Sequence, residues 1–161
     1  MGVPITRYGK RTGGPWYGED FPRLMFEREA NRYFPGLSSV TVTSGHDAGR
    51  RYRVTITVPH YETRRVEILF PKDFPKIPRV TADGPVESKH RFSSGELCMW
   101  YPDDSVENRW VFEDRLVALL GHITIHLFRE AWWRETGEWP GPEVGHSKIE
   151  SIPAEEQRGV R

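Results

Sequence analysis

Residues 70–78 read Phe70-Pro71-Lys72-Asp73-Phe74-Pro75-Lys76-Ile77-Pro78, and three prolines in nine positions restrict the fold more than any other feature of the chain. Each proline removes a backbone donor and steers the residue before it away from the α region, so the segment can be neither helix nor sheet interior. It must be a rigid crossing between elements. The residues before it alternate. Tyr52, Val54, Ile56 and Val58 are interleaved with Arg53, Thr55 and Thr57, Leu37 to Thr43 alternates before the turn material of residues 44–49, and Arg65 to Phe70 reads as a third strand. Short turns between these runs predict an antiparallel meander, to which Arg79 to Ala82 adds a short fourth strand. Upstream, Asp20 as a cap, Pro22 in the first turn and the apolar side Leu24, Met25, Phe26, Ala30 and Tyr33 predict a helix that Pro35-Gly36 stops.

After the turn Asp83-Gly84-Pro85, a long irregular stretch runs from about Val86 to Asn108 and contains Cys98. A connection of that length inside a domain is either functional or disordered, and Leu97, Trp100 and Tyr101 make it too apolar for disorder. The clearest helix follows. Glu113 or Asp114 favours its start, Leu116, Leu119, Leu120, Ile123, Leu127 and Ala131 recur at helical spacing, and Gly137 ends it. The proline-punctuated tail carries an aromatic anchor, Trp139, suited to folding back on the domain. The organisation expected is therefore one α+β domain over residues 19–146, with a flexible glycine-rich arm at 1–18 and a frayed end at 147–161. A total of 161 residues suits a single domain.

Charge and cysteine content narrow the function classes. With 23 Lys plus Arg against 23 Asp plus Glu, the chain lacks the clustered positive charge on which nucleic-acid affinity rests. No segment approaches the roughly 20 apolar residues that span a bilayer, and no apolar leader opens the chain. A cytoplasmic protein that binds neither membrane nor nucleic acid is expected. Cys98 is the only cysteine, which excludes an internal disulfide and suits a reducing compartment. No cofactor motif is present.

The order helix, strand meander, Phe70-Pro71-x-x-Phe74-Pro75-x-x-Pro78, a long loop with Gly95-x-Leu97-Cys98, Trp110 and then a Leu-rich helix resembles the ubiquitin-conjugating enzymes over about residues 20–135. The resemblance implies a UBC-like fold with an N-terminal helix, about four antiparallel strands, a long active-site loop and one long C-terminal helix. It also implies a cysteine, here Cys98, that carries a ubiquitin-like C-terminus as a thioester. Two departures stand out. The family's His-Pro-Asn triplet appears as His90-Arg91-Phe92, so the asparagine that supports the oxyanion is missing, and the late helices are replaced by the tail from Trp139 to His146. Both features are similar to the stand-alone bacterial conjugating-enzyme-like proteins of type II CBASS antiphage operons. That similarity implies a role in defence, a cGAS-like nucleotidyltransferase or a ubiquitin-like protein C-terminus as partner, and a separate activating enzyme.

Acyl transfer of this kind needs an accessible thiolate. A lone cysteine is more commonly a buried, inert thiol, but the polar turn Ser93-Ser94-Gly95-Glu96 is poor core material and favours the nucleophile. His90, in the same loop, can lower the thiol pKa or donate to the oxyanion if the loop doubles back; the competing reading is a packed loop histidine. Asp103 and Asp104 are the candidate supporting acids, since a carboxylate holds an incoming ammonium and accepts its proton, although Pro102-Asp103-Asp104-Ser105 also has simple turn chemistry. Asn108 is a second source of an amide donor. His122 and His126 stand one helical turn apart, but only Cys98 and His146 are at hand to complete a metal site, so boundary histidines are expected. The rivals to a conjugating-type enzyme are a non-catalytic UBC-like adaptor and a Cys-His peptidase using His90 or His122. The peptidase lacks an identifiable orienting residue.

Overall fold

The alternating segments pair as their patterns predict. In the computed structural model, which describes residues 13–142, β1 (Ser38–Val42), β2 (Gly49–Ile56), β3 (Arg64–Pro71) and β4 (Arg79–Ala82) form one antiparallel sheet in the order β1-β2-β3-β4. Tyr52 opposes Ile68, Val54 opposes Val66, and Ile68 in turn opposes Val80, so the inward sets of three strands lie side by side and are buried. Arg53 and Thr55 point to the other face, which stays wet. The proline segment becomes two successive turns, with the Phe74 N–H donating to the Pro71 carbonyl (3.1 Å) and the Ile77 N–H to the Phe74 carbonyl (3.0 Å).

Against the dry face lies the last helix, here α3 (Arg115–Thr136), whose Leu116, Leu119, Leu120 and Ile123 are fully buried. A short 3-10 turn, Phe112–Asp114, leads into it, and the Asp114 carboxylate accepts the Val111 N–H at 3.0 Å. An α+β arrangement of one four-stranded antiparallel sheet and one long C-terminal helix is compatible with the UBC-like fold that the resemblance implies. Among the described residues, no helix is long and apolar enough to cross a membrane.

The N-terminal part differs from expectation. The single helix anticipated up to Pro35 is broken into α1 (Asp20–Glu27) and α2 (Ala30–Tyr33) by Glu29, whose φ of 68° is left-handed. Asp20 is the first helical residue, paired with Arg23 at 2.6 Å, and does not act as a cap. Of the apolar side, Phe26 and Ala30 are buried while Leu24 and Tyr33 are exposed. Two tethers explain the geometry. The Glu27 carboxylate receives the Arg50 guanidinium (2.6 Å) and the Tyr52 hydroxyl (2.8 Å), fixing the end of α1 on β2. Phe26 stacks on Phe112 at 4.8 Å and meets Phe70 edge-on at 5.3 Å. Trp16 and Tyr17, assigned above to a flexible arm, are buried. The Trp16 ring lies 4.4 Å from Phe26, and its N–H donates to the Pro75 carbonyl, so the rigid crossing has a partner. Residues 1–12 of the arm, the tail beyond 142 with His146, and the end expected to fray at 147–161 lie outside the described residues.

One buried contact joins the long loop to α3. Arg91 donates from Nε and a terminal nitrogen to the two oxygens of Glu130, at 2.8 and 2.9 Å, with side-chain exposures of 4% and 0%. Arg134 approaches the same carboxylate at 3.5 Å. Removing one partner of such a pair strands a charge in a dry place. Glu130→Ala is expected to lower the unfolding free energy by about 3–5 kcal/mol, measured by equilibrium urea denaturation; a loss under ~1 kcal/mol would mean that the pair behaves like an exposed one.

Candidate active site

The loop doubles back, as the functional reading of His90 requires. Arg91 and Leu97 form an antiparallel bridge, and the chain between them reverses in a tight turn in which the Phe92 N–H donates to the Glu96 carbonyl (2.9 Å) and the Gly95 N–H to the Phe92 carbonyl (2.9 Å). The next pair across this bridge is His90 with Cys98, and the Cys98 N–H donates to the His90 carbonyl at 2.8 Å. Residues directly opposite share a face, and neighbours along a strand point to opposite faces. Arg91 and Leu97 therefore face inward and anchor the loop, Arg91 on Glu130 and Leu97 in the core with its N–H on the Val80 carbonyl (2.9 Å), while His90 and Cys98 share the other side.

His90 and Cys98 line one small cavity with His126 and Arg129 of α3 and with Trp139 and Pro142 of the tail. Its volume is about 20 Å³, room for one water. Cys98 is only 4% exposed, which corrects the expectation of an accessible thiol. The covering groups come from elsewhere in the chain: the helix supplies one wall and the tail a roof. Burial pushes the Cys98 thiol above its ordinary pKa, and the Asp104 carboxylate adds to the shift in the same direction.

Two imidazoles flank the thiol. His90 is buried, with its backbone N–H on the Ser88 hydroxyl (3.2 Å) and its ring edge-on to Trp139 at 4.3 Å. His126 was read from sequence as a boundary histidine, yet it is buried. Burial, aided by the charges of His90, Arg91 and Arg129 against that of Glu130, pushes its pKa down to about 4, so it is a neutral ring. Its Nε2 has no hydrogen-bond partner among the described residues. The signal for it was present in the His122-His126 spacing, but helical periodicity alone could not say which flank of the stripe would be covered. His122 is the exposed member of the pair, its ring 5.7 Å from Trp100. Among the described residues, no group of three His, Cys, Asp or Glu side chains could hold a metal.

The acids separate. Asp104 folds a turn, accepting the Tyr101 N–H on its carboxylate at 2.9 Å while its own N–H donates to the Tyr101 carbonyl at 3.1 Å, and its charge reaches Cys98. Asp103 is exposed beside it. Asn108 is also exposed and donates to the Ser105 hydroxyl at 3.1 Å; it does not line the cavity. Trp110 packs behind the loop as expected, buried, with its N–H on the Arg115 carbonyl (2.9 Å). Trp139 makes the anchoring contacts of the tail as expected, whereas Trp132 lies 6.1 Å from Phe128 and is partly exposed.

Comparison with curated proteins and with solved structures returns no match. The family model described as Type II CBASS E2 protein matches residues 20–147. That span holds α1, the whole sheet, the Cys98 loop, α3 and the roof of the cavity, and it is most of the chain. On this match the protein belongs to the family of type II CBASS E2 proteins.

Proposed function

We propose that this protein is a conjugating-type cysteine acyltransferase of bacterial antiphage defence, acting in the cytoplasm, and that Cys98 carries the C-terminus of a protein as a thioester. The observation that carries the reading is the placement of Cys98 opposite His90 on a loop locked to both sheet and helix, in a chain of the type II CBASS E2 family. In the first step the Cys98 sulfur attacks an activated acyl carbon supplied by an activating enzyme. The C–S bond forms, the activating group leaves, and the thiol proton passes to His90 or to water. In the second step a neutral acceptor amine attacks the thioester, the C–N bond forms, the C–S bond breaks, and the proton lost from nitrogen passes to the departing thiolate or to water. The neutral imidazole of His126, with the His90 ring on the same cavity, suits donation to the carbonyl oxygen, the task of the family asparagine that this loop lacks. Asp104, with Asp103 beside it, suits the approach of an ammonium. The partner we favour is the cGAS-like nucleotidyltransferase, with a ubiquitin-like protein tail as the other carried group.

A second reading has one observation in its favour. A buried thiol with a raised pKa is also what a non-catalytic adaptor that binds the nucleotidyltransferase or a ubiquitin-like tail would keep.

Two experiments separate the readings. Intact mass spectrometry of the protein expressed with the nucleotidyltransferase and activating enzyme should find an adduct of the carried protein's mass that thiol reductant removes, a reductant-resistant oxyester on Cys98→Ser, and no adduct on Cys98→Ala. Wild-type protein unmodified beside those partners, with Cys98→Ala still protecting cells from phage, would establish the adaptor. The pH dependence follows from the thiol's surroundings. A raised pKa means that alkylation of Cys98 by iodoacetamide keeps rising with pH beyond the ordinary thiol range near about 8.5. Asp104→Asn removes a negative charge that disfavours the thiolate, so its profile should lie at lower pH than that of the wild type; coincident profiles would show that the carboxylate does not act on the sulfur.

A further inference from the structure

The cavity around Cys98 is closed by the polypeptide that follows α3. Gly137 ends the helix with a left-handed backbone (φ 79°), its N–H on the Trp133 carbonyl at 2.8 Å, and this turns the chain back toward the loop. The Glu138 N–H then donates to the Thr136 hydroxyl at 3.2 Å. Beyond it, the Trp139 ring stands edge-on to both imidazoles, 4.3 Å from His90 and 5.6 Å from His126, and Pro142 completes the wall. Gly141 (φ 130°) crosses the Arg129 guanidinium so closely that a Cβ there would lie 2.9 Å from it. A side chain there would displace the flexible end of Arg129, and the backbone angle itself disfavours one.

This geometry is incompatible with an acylated Cys98. Cys98 is buried, and the space beside it, about 20 Å³, holds one water, too little for a carbonyl carbon, its oxygen and the residue attached to it. Helix α3 and the loop cannot retreat without breaking the buried Arg91–Glu130 pair. The tail is the movable wall: its end turns on a glycine, and its covering contacts are ring edges and van der Waals surfaces.

We infer that residues 137–142 form a strap that gates the thiol. It opens about Gly137, and the C-terminal segment of the acyl donor takes the place of Trp139 against His90 and His126. The nature of the incoming segment rests on the acyl-carrier reading; the gate itself does not.

The test uses the full-length chain and iodoacetamide as the probe, at a temperature well below the melting transition of every variant. Trp139→Ala should alkylate at Cys98 about tenfold faster than the wild type, the scale expected when a locally closed form loses its covering contacts. Trp139→Phe should restore slow reaction, and Trp132→Ala, which alters an exposed ring on α3, should react like the wild type. Gly141→Ala leaves every ring at the cavity in place but puts a side chain on a backbone at φ 130°, which strains the strap, and it should also accelerate alkylation. A wild-type rate in Trp139→Ala overturns the strap, as does equal acceleration by Trp132→Ala, which would mark a general loosening. Acceleration confined to Trp139→Ala and Gly141→Ala in a protein that never forms an acyl adduct would keep the strap and remove the acyl-carrier reading.

Discussion

The geometry of the thiol loop depends on a single buried ion pair. Arg91 and Glu130 meet through two parallel hydrogen bonds with almost no contact with water, an arrangement that draws its value from the planar guanidinium fork. Desolvating both charges offsets much of their attraction, so the pair is weak as a net source of stability. It is strong as a specifier. Because side chains alternate across the Arg91–Leu97 bridge, holding Arg91 inward forces His90 and Cys98 to the opposite side together, and a slip of one residue would send the sulfur toward the core and the arginine toward the cavity. In the ubiquitin-conjugating pattern the position after the histidine is proline. Here the rigidity that a proline gives through its ring comes from a long-range salt bridge.

What was legible in the sequence was what leaves a periodic trace. The sheet could be read strand by strand because Tyr52, Val54, Ile56 and Val58 bury one face and expose the other, and α3 because its leucines recur at helical spacing. The loop's function was legible through residue type and proximity: a lone cysteine eight positions after a histidine in a polar turn. Buried polar groups were not. Glu27, Arg50, Arg91 and Glu130 look in sequence like ordinary surface charges, and only the partner, 23 residues away for Glu27 and 39 for Arg91, removes them from water. His126 escaped for the same reason, and Cys98 was expected to be accessible because its cover belongs to the tail. The helix break at Glu29 was hidden by a run of good helix formers; the tertiary tethers at Phe26 and Glu27 override their propensity.

Electrostatics around the sulfur favour restraint. Burial and Asp104 both disfavour the thiolate, and the thiolate is the form that attacks carbonyls and that oxidants consume. A neutral thiol buried in a cavity that Trp139 also lines is therefore protected as well as inactive. Displacement of Trp139 would change both conditions at once, because entering water or a polar chain end relieves the desolvation that raises the thiol. Under the acyl-carrier reading Asp104 would then play a different part: the carboxylate that opposes the thiolate in the closed state would favour an ammonium beside the thioester. The Arg129 guanidinium and the neutral ring of His126 line the same cavity as the thiol, so under the acyl-carrier reading they are the groups at hand for an anionic oxygen. On the same reading, catalysis by differential stabilisation requires these groups to gain more from the reacting form than from the resting one, and the tail that roofs the cavity is the part whose displacement would let them.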